Sequence, residues 1–147
     1  MSRQDTIERS VTVQVPIGKV WAALTVADQL AQWFGDSATV DLRPGGAISF
    51  GWSEHDVVVA GIIEEVDAPS TFSYRWSAGE TEDGTAWSTK VTFTLEESEG
   101  TTTVTVVESG VSELPSEMYR RTLEENSSGW TEELADLARM LDGVAAA

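Results

Sequence analysis

The stretch that decides the fold is YRRTLEENSSGWTEELADLARML, residues 119–141. Seven positions in it recur at intervals of three or four: Tyr119, Leu123, Asn126, Trp130, Leu134, Leu137 and Leu141. All but Asn126 are apolar or aromatic, and this spacing predicts one amphipathic helix of about six turns, at 3.6 residues per turn. A helix with a single apolar stripe must bury it against another element, so the rest of the chain has to supply a surface.

The middle of the chain supplies that surface, because its apolar residues alternate with a period of two, which predicts β-strands. The clearest run is Trp87, Thr89, Val91, Phe93 and Leu95. Turn signals separate this run from its neighbours, at residues 44–46, 83–84 and 99–100. Residues 37–109 therefore predict about six consecutive antiparallel strands, with a bulge or bend at Gly61.

The N-terminal part predicts one further strand and two short helices. Residues 7–15 alternate as a strand does, and residues 17–24 have helical spacing after Pro16. Residues 25–34 predict a second short helix that ends at Gly35. The complete order predicts an α+β fold in which a curved antiparallel sheet of six to seven strands wraps around the C-terminal helix.

Composition narrows the chemistry. The length of 147 residues fits one domain over residues 1–147. The chain has no cysteine and a single histidine, His55, which excludes disulfides, thiolate nucleophiles and histidine-rich metal clusters. We find no nucleotide-binding loop or zinc pattern, so the sequence predicts no cofactor and no metal.

Charge and hydropathy bear on partners and location. The formal net charge is −16, from 25 acidic and 9 basic residues. Nucleic acid and anionic membrane surfaces are poor partners for such a chain, because both need clustered Lys and Arg. No apolar run has membrane-spanning length, and the first residues do not resemble a signal peptide. We therefore expect a cytoplasmic protein.

The residues also resemble a known family, the START/Bet-v-type helix-grip superfamily, and within it the branch related to the activator of the heat-shock-protein-90 ATPase. Residues 15–25 resemble that branch's first helix, and residues 30–34 its second. Residues 42–50 are similar to its Gly-Gly hairpin, residues 61–76 to its central strands, and residues 129–141 to its closing helix. The resemblance covers nearly the whole chain.

This resemblance implies the helix-grip fold more than any one function. The superfamily includes lipid carriers, plant hormone receptors and polyketide aromatase/cyclases. Its co-chaperone members carry an additional N-terminal domain for chaperone binding. We expect no such domain in this chain, so co-chaperone activity does not carry over. The family supplies no universal catalytic residue to map here.

Aromatic residues are the first candidates for a site. Trp52, Trp76, Trp87 and Trp130 are predicted to converge between the sheet and the long helix, and Phe93 shares the inward face of its strand. Such rings either fill a core or line a pocket for a planar or lipid-like ligand. Both alternatives remain open at this stage.

Four other residues stand out. Asn126 interrupts the apolar stripe, where it either makes a structural hydrogen bond or contacts a ligand. Glu108 shares strand parity with inward residues, and the simpler interpretation is that it reaches solvent at the sheet's end. Gly129 costs about 1 kcal/mol inside a helix, which indicates either close packing or a bend that makes room for a cavity. His55 is typical of a solvated turn residue, although it could serve as a base.

The leading hypothesis is that a small apolar, aromatic or amphipathic ligand binds in the sheet–helix cavity, with the four tryptophans, Phe93, Glu108 and Asn126 as candidate binding residues. A chaperone-like or stress-related protein-interaction module is the second hypothesis. A homodimer is compatible with a domain of this size, although no patch in the sequence proves it. A cyclase- or hydrolase-like enzyme that uses His55 or Glu108 as a base is the third. It ranks last because no paired acid and base are visible.

Overall fold

The computed structural model describes the backbone of residues 3–146 and the side chains of residues 3–142. Its strands are β1 (Ile7–Val13), β2 (Ser37–Val40), β3 (Ala47–Trp52), β4 (Val57–Asp67), β5 (Thr71–Glu80), β6 (Ala86–Ser98) and β7 (Thr101–Ser109). Its α-helices are α1 (Ile17–Thr25), α2 (Ala27–Leu30) and α3 (Ser116–Ala146). Single 3₁₀ turns cover Ser53–His55 and Val111–Glu113.

The seven strands form one antiparallel sheet in the order β1-β7-β6-β5-β4-β3-β2. Consecutive strands from β2 to β7 are neighbours, and β1 pairs with β7 at the far edge. The chain therefore crosses from one edge of the sheet to the other through α1 and α2. The predicted helix-grip architecture, a curved antiparallel sheet around a long C-terminal helix, is confirmed.

Helix α3 covers the inner face of the sheet. Its buried side chains are Met118, Thr122, Trp130, Leu134, Leu137 and Leu141. Tyr119 and Leu123, which we placed on the stripe, are only half-buried, because the buried face is turned toward Met118 and Thr122 in the first turns. None of the described helices has the length and hydropathy needed to cross a membrane.

The second helix is shorter than predicted. It ends at Leu30, and the prediction that it continues to Phe34 is wrong. Trp33 and Phe34 leave the helix to enter the core, where they are 4% and 3% exposed. The Trp33 indole donates to the carbonyl oxygen of Ala23 at 2.9 Å, which fixes this turn of the chain. Strand β1 likewise ends at Val13 rather than at residue 15.

The predicted bulge at Gly61 is also misplaced. Gly61 pairs in register on both sides, and the irregularity of β4 lies between Ile63 and Glu65. Glycine is required at position 61 because a Cβ there would lie 2.6 Å from the carbonyl oxygen of Arg75. The residue therefore marks a close approach of two strands, which produces the same sequence signal as a bulge.

Candidate ligand-binding cavity

A cavity of about 300 Å³ lies between the inner face of the sheet and the N-terminal half of α3. Four aromatic side chains contribute to its wall: Phe34, Trp52, Trp76 and Trp130. The rings of Phe34, Trp76 and Trp130 are nearly parallel, with centroids 5.4 to 5.9 Å apart. Trp52 meets Phe34 edge-on at 5.4 Å. Offset-parallel and edge-on contacts are the favoured geometries for aromatic pairs, so these rings hold one another in place.

The carboxylate of Glu108 lies at the inner end of the cavity and is 0% exposed. Glu108 is in register with Ile7 of β1 on one side and with Val91 of β6 on the other. The expectation that it reaches solvent at the sheet's end is therefore wrong. Strands on both sides enclose this end of β7, and α3 covers its inner face.

Four side chains donate hydrogen bonds to this carboxylate. Oε1 accepts from the Trp130 indole at 2.9 Å and from the Asn126 amide at 2.9 Å. Oε2 accepts from the Thr89 hydroxyl at 2.5 Å, from Asn126 at 3.1 Å and from the Trp76 indole at 3.3 Å. All of these bonds are accepted by Glu108, which matches the acceptor-only inventory of an ionised carboxylate.

Strand register explains how these donors meet. Trp76 on β5 and Thr89 on β6 are directly opposite each other, and the Trp76 indole also donates to the Thr89 hydroxyl at 3.1 Å. Asn126 and Trp130 are four residues apart on α3, so they project from one face of the helix. Sheet and helix thus supply two donors each to Glu108.

The electrostatics of this cluster are unusual because every donor is neutral. Among the side chains of residues 3–142, no Lys or Arg forms an ion pair with Glu108. A buried carboxylate is costly unless its oxygens are well paired, and four donors meet that need here. Burial raises the pKa of Tyr74 well above its usual value, and the negative charge of Glu108 raises it further. The Tyr74 phenol therefore stays neutral beside this charge.

Gly129 lies between Asn126 and Trp130 on the helix and lines the cavity. A Cβ built on Gly129 would meet nothing within 4 Å. Of the two sequence alternatives, close packing is therefore excluded, and open space is found. The missing side chain is what keeps this part of the cavity free.

Charged residues of α3 continue the wall toward solvent. Arg121, Glu125 and Glu133 line the cavity, and the latter two flank Gly129 at intervals of four. Burial, together with the nearby carboxylates of Asp136 and Glu132, raises the pKa of Glu133 to about 7. Within the described part of the chain, the Glu133 Oε2 atom is buried and has no hydrogen-bond partner.

Five of the predicted site residues meet at this cavity: Trp52, Trp76, Glu108, Asn126 and Trp130. Phe93 does not line it, because its ring lies in the core and packs edge-on against Trp130 at 5.8 Å. Whether the five residues bind a ligand stays a prediction.

Trp87 is not with them, so the predicted convergence of four tryptophans is wrong for this residue. It lines a separate, more open depression between residues 80–85 and the first turns of α3. Trp87 precedes Thr89 by two residues on β6, and a strand advances about 3.3 Å per residue. The ring therefore lies beyond the end of the cavity, although it shares the strand's inner face.

Sequence reasoning missed three important residues. Thr89 has the parity of its inward neighbours, yet a threonine in a strand is too common to attract attention. Glu133 falls four residues after Gly129, which was a usable signal for a shared helix face. Phe34 was assigned to the second helix, and only the early end of that helix brings its ring to the cavity.

The candidate base His55 lies away from this cavity. His55 is exposed in the 3₁₀ turn before β4 and is not among the residues that line the cavity. No group of three or more potential metal ligands occurs in the described part of the chain.

Comparisons with known proteins agree with this architecture. Residues 14–142 match the sequence family described as "Activator of Hsp90 ATPase homolog 1-like protein". A search of curated proteins gave no match.

Many solved structures are similar to the chain, among them the following three. DynU16, a protein of the dynemicin biosynthetic locus, is 25% identical with a TM-score of 0.78, and the match covers 95% of this chain and 48% of DynU16. The chain therefore spans about half the length of that relative. The Aha1 dimer from Colwellia psychrerythraea is 19% identical with a TM-score of 0.77, and 95% and 97% of the two chains are covered. An Hsp90 activator from Plasmodium falciparum, PFC0360w, is 22% identical with a TM-score of 0.75, and 94% and 96% are covered.

Proposed function

We propose that this chain, which belongs to the family of activator of Hsp90 ATPase homolog 1-like proteins, binds a small hydrophobic or amphipathic molecule between its sheet and C-terminal helix. The observation that carries the proposal is the cavity of about 300 Å³ with its aromatic wall and the fully buried carboxylate of Glu108 at its inner end. Ligand sites typically combine a mostly apolar wall with a few placed polar groups, and their volumes begin near this size.

The residue Gly129 favours the interpretation that the cavity is kept open, and not that it is an imperfectly filled core. A glycine inside a helix costs about 1 kcal/mol relative to alanine. A leucine there would avoid that cost and would also bury apolar surface, a gain of about 1.5–3 kcal/mol. The chain forgoes both contributions at a position where a Cβ would meet nothing within 4 Å. A bound ligand would supply the missing contacts.

Tryptophan fluorescence gives a direct test, because three tryptophans line the cavity. Titration with fatty acids, sterols and aromatic polyketides should produce saturable quenching for at least one class. Gly129→Leu should abolish the quenching by occupying the space. Gly18→Leu is the matched control, since Gly18 lies in α1, outside the cavity lining, and also has open space at its Cβ. Quenching that is absent for all three classes, or unchanged in Gly129→Leu, would overturn the proposal.

The catalytic alternative needs Glu108 or His55 as a general base. The oxygens of Glu108 already accept hydrogen bonds from four side chains of the protein, so they are engaged within the fold and not turned toward a substrate proton. His55 is exposed and does not line the cavity. Binding is therefore the better-supported function of this site.

Self-association is a second candidate, favoured by one observation on the outer face of β4. Val58 and Ile62 point away from the core and are 74% and 52% exposed. Burying them against a second copy of the chain would remove apolar surface from water. Light scattering over a concentration series should detect a dimer that Val58→Lys disrupts and that Leu42→Lys, at another exposed apolar position, leaves intact. A monomer at every concentration would exclude this candidate.

A further inference from the structure

We propose that the ligand of this cavity carries a positive charge next to an apolar body, as an aromatic or alkyl ammonium ion does. This inference rests on the proposed ligand-binding function and names the chemical class that the site accepts. Three features carry it: which hydrogen-bonding groups remain free, where the charges lie, and how the indole rings are turned.

The first feature is that the donors at the inner end of the cavity are already engaged, while the remaining side-chain donors of its wall include those of Ser77, Thr122 and the exposed Arg121. The Trp76 and Trp130 indoles and the Asn126 amide, all on its wall, donate to Glu108. The Thr89 hydroxyl behind them does the same. Acceptors remain available, above all the buried and unpartnered Oε2 atom of Glu133. A ligand that donates its own N–H groups to these acceptors fits this arrangement, and so does a cation, because neither needs a hydrogen-bond donor from the wall.

The second feature is the distribution of charge. Glu108, Glu125 and Glu133 face the cavity, and Arg121 is the one basic residue among its lining side chains. Arg121 is exposed, so solvent screens its charge, whereas Glu108 is completely buried. Buried charges are screened much less by solvent and salt than exposed charges are. The buried carboxylate therefore outweighs the exposed guanidinium in the field that a ligand experiences.

The third feature is the orientation of the two inner indoles. Both turn their N–H edge, which is the electropositive part of the ring, toward Glu108. The two rings stack on each other and on Phe34, so what they offer a ligand is the part of their electron-rich π surface that lines the cavity. Trp is the best of the aromatic residues for attracting a cation over its face. Phe34 and Trp52 add two further rings to the same wall.

The test compares isosteric probes that differ only in charge. Benzyltrimethylammonium and neopentylbenzene have the same shape, since carbon replaces the quaternary nitrogen in the second. 3-Phenylpropionate supplies an anion of similar size. Binding of each is measured by quenching of intrinsic fluorescence at pH 8, where Glu133 is ionised, and at low salt. We expect the cation to bind on the order of tenfold more tightly than its neutral isostere, and the anion to bind most weakly.

Variants locate the effect. Glu133→Gln should reduce the affinity for benzyltrimethylammonium about threefold and leave that for neopentylbenzene unchanged. Glu124→Gln removes the same charge from an exposed position of α3 outside the cavity lining, and it should change neither affinity. This control separates a local effect from the general attraction of a chain with a net charge of −16.

The outcomes are distinguishable from those of the broader proposal. If neopentylbenzene or the anion binds as tightly as the cation, the cavity binds ligands but the inference about charge is wrong. If Glu124→Gln and Glu133→Gln weaken cation binding equally, the preference belongs to the whole surface and the inference also fails. If none of the three probes binds, and no fatty acid, sterol or polyketide quenches the tryptophan fluorescence, the proposed function itself is overturned.

Discussion

Replacing Glu108 tests whether the donor cluster stabilises the fold. In Glu108→Gln, the amide oxygen can take the place of Oε1 and keep the bonds from Trp130 and Asn126. The amide nitrogen then faces Thr89, whose hydroxyl can rotate to accept. It also faces the Trp76 indole, which can only donate, and the Asn126 amide nitrogen, which bonds Oε2 at 3.1 Å in the native protein. These two conflicting donor contacts, together with the loss of charge-assisted bonds, should cost about 2–3 kcal/mol.

Glu108→Leu should be worse. The Trp130 indole and the Asn126 amide then lose the acceptor they share in the native protein. Each buried group left without a partner costs about 1–3 kcal/mol, so two of them cost about 2–6 kcal/mol. Trp76 retains the Thr89 hydroxyl at 3.1 Å and adds little to this sum. Removal of a buried charge offsets part of the loss, but we expect leucine to remain less stable than glutamine.

Urea denaturation measures the free energy of unfolding, and an unchanged m-value indicates that only stability has changed. Glu96→Gln and Glu96→Leu provide the controls, because Glu96 is an exposed glutamate on β6. Exposed substitutions are expected to stay within about 0.5 kcal/mol. If Glu108→Leu proves as stable as the native protein, the desolvation cost of the carboxylate equals the contribution of its hydrogen bonds. The reasoning about the cluster would then be refuted.

Three further predictions concern stability. Gly129→Ala should raise the unfolding free energy by up to about 1 kcal/mol, or Tm by about 2–4 °C, because the new Cβ meets nothing within 4 Å. Gly18→Ala is the control, since Gly18 is also a helical glycine with open space at its Cβ. A loss of stability in Gly129→Ala would mean that the space at position 129 is not open. Thr89→Val should lower the free energy of unfolding, measured in urea, by about 1–2 kcal/mol, since it removes one donor to Glu108. Thr89→Ser keeps the hydroxyl and should retain most of that stability. Equal losses in both variants would show that the Thr89 hydroxyl does not stabilise the cluster. The pKa of Glu133 is raised from 4.5 to about 7, so its contribution to stability is fully present below pH 4.5 and is lost as the pH rises to about 7. Glu133→Gln should therefore match the native protein near pH 4.5 and exceed it at pH 8 by about 1 kcal/mol, after a discount for partial exposure; a difference in Tm that does not vary with pH would contradict this.

The sequence by itself determined the succession of elements. Helix α3, the antiparallel strands and the turns at residues 83–84 and 99–100 all follow from local periodicity and turn chemistry, which neighbouring residues set. Parity along β7 was also sufficient to place Glu108 on the inner face, and helical spacing to place Asn126 and Trp130 together. These inferences held because a strand and a helix each have a fixed repeat.

Only the tertiary structure decided what those inward residues meet. No local pattern indicates that β1 closes on β7 and buries Glu108, that Trp87 lies beyond the end of the cavity, or that Phe34 leaves its helix to join the wall. Such facts depend on strand order, on the register between distant segments and on where the helix ends. These are set by the packing of the whole chain, since each long-range contact requires both partners to be in place. The open space at Gly129 is of the same kind, because a gap is defined by all of the elements around it.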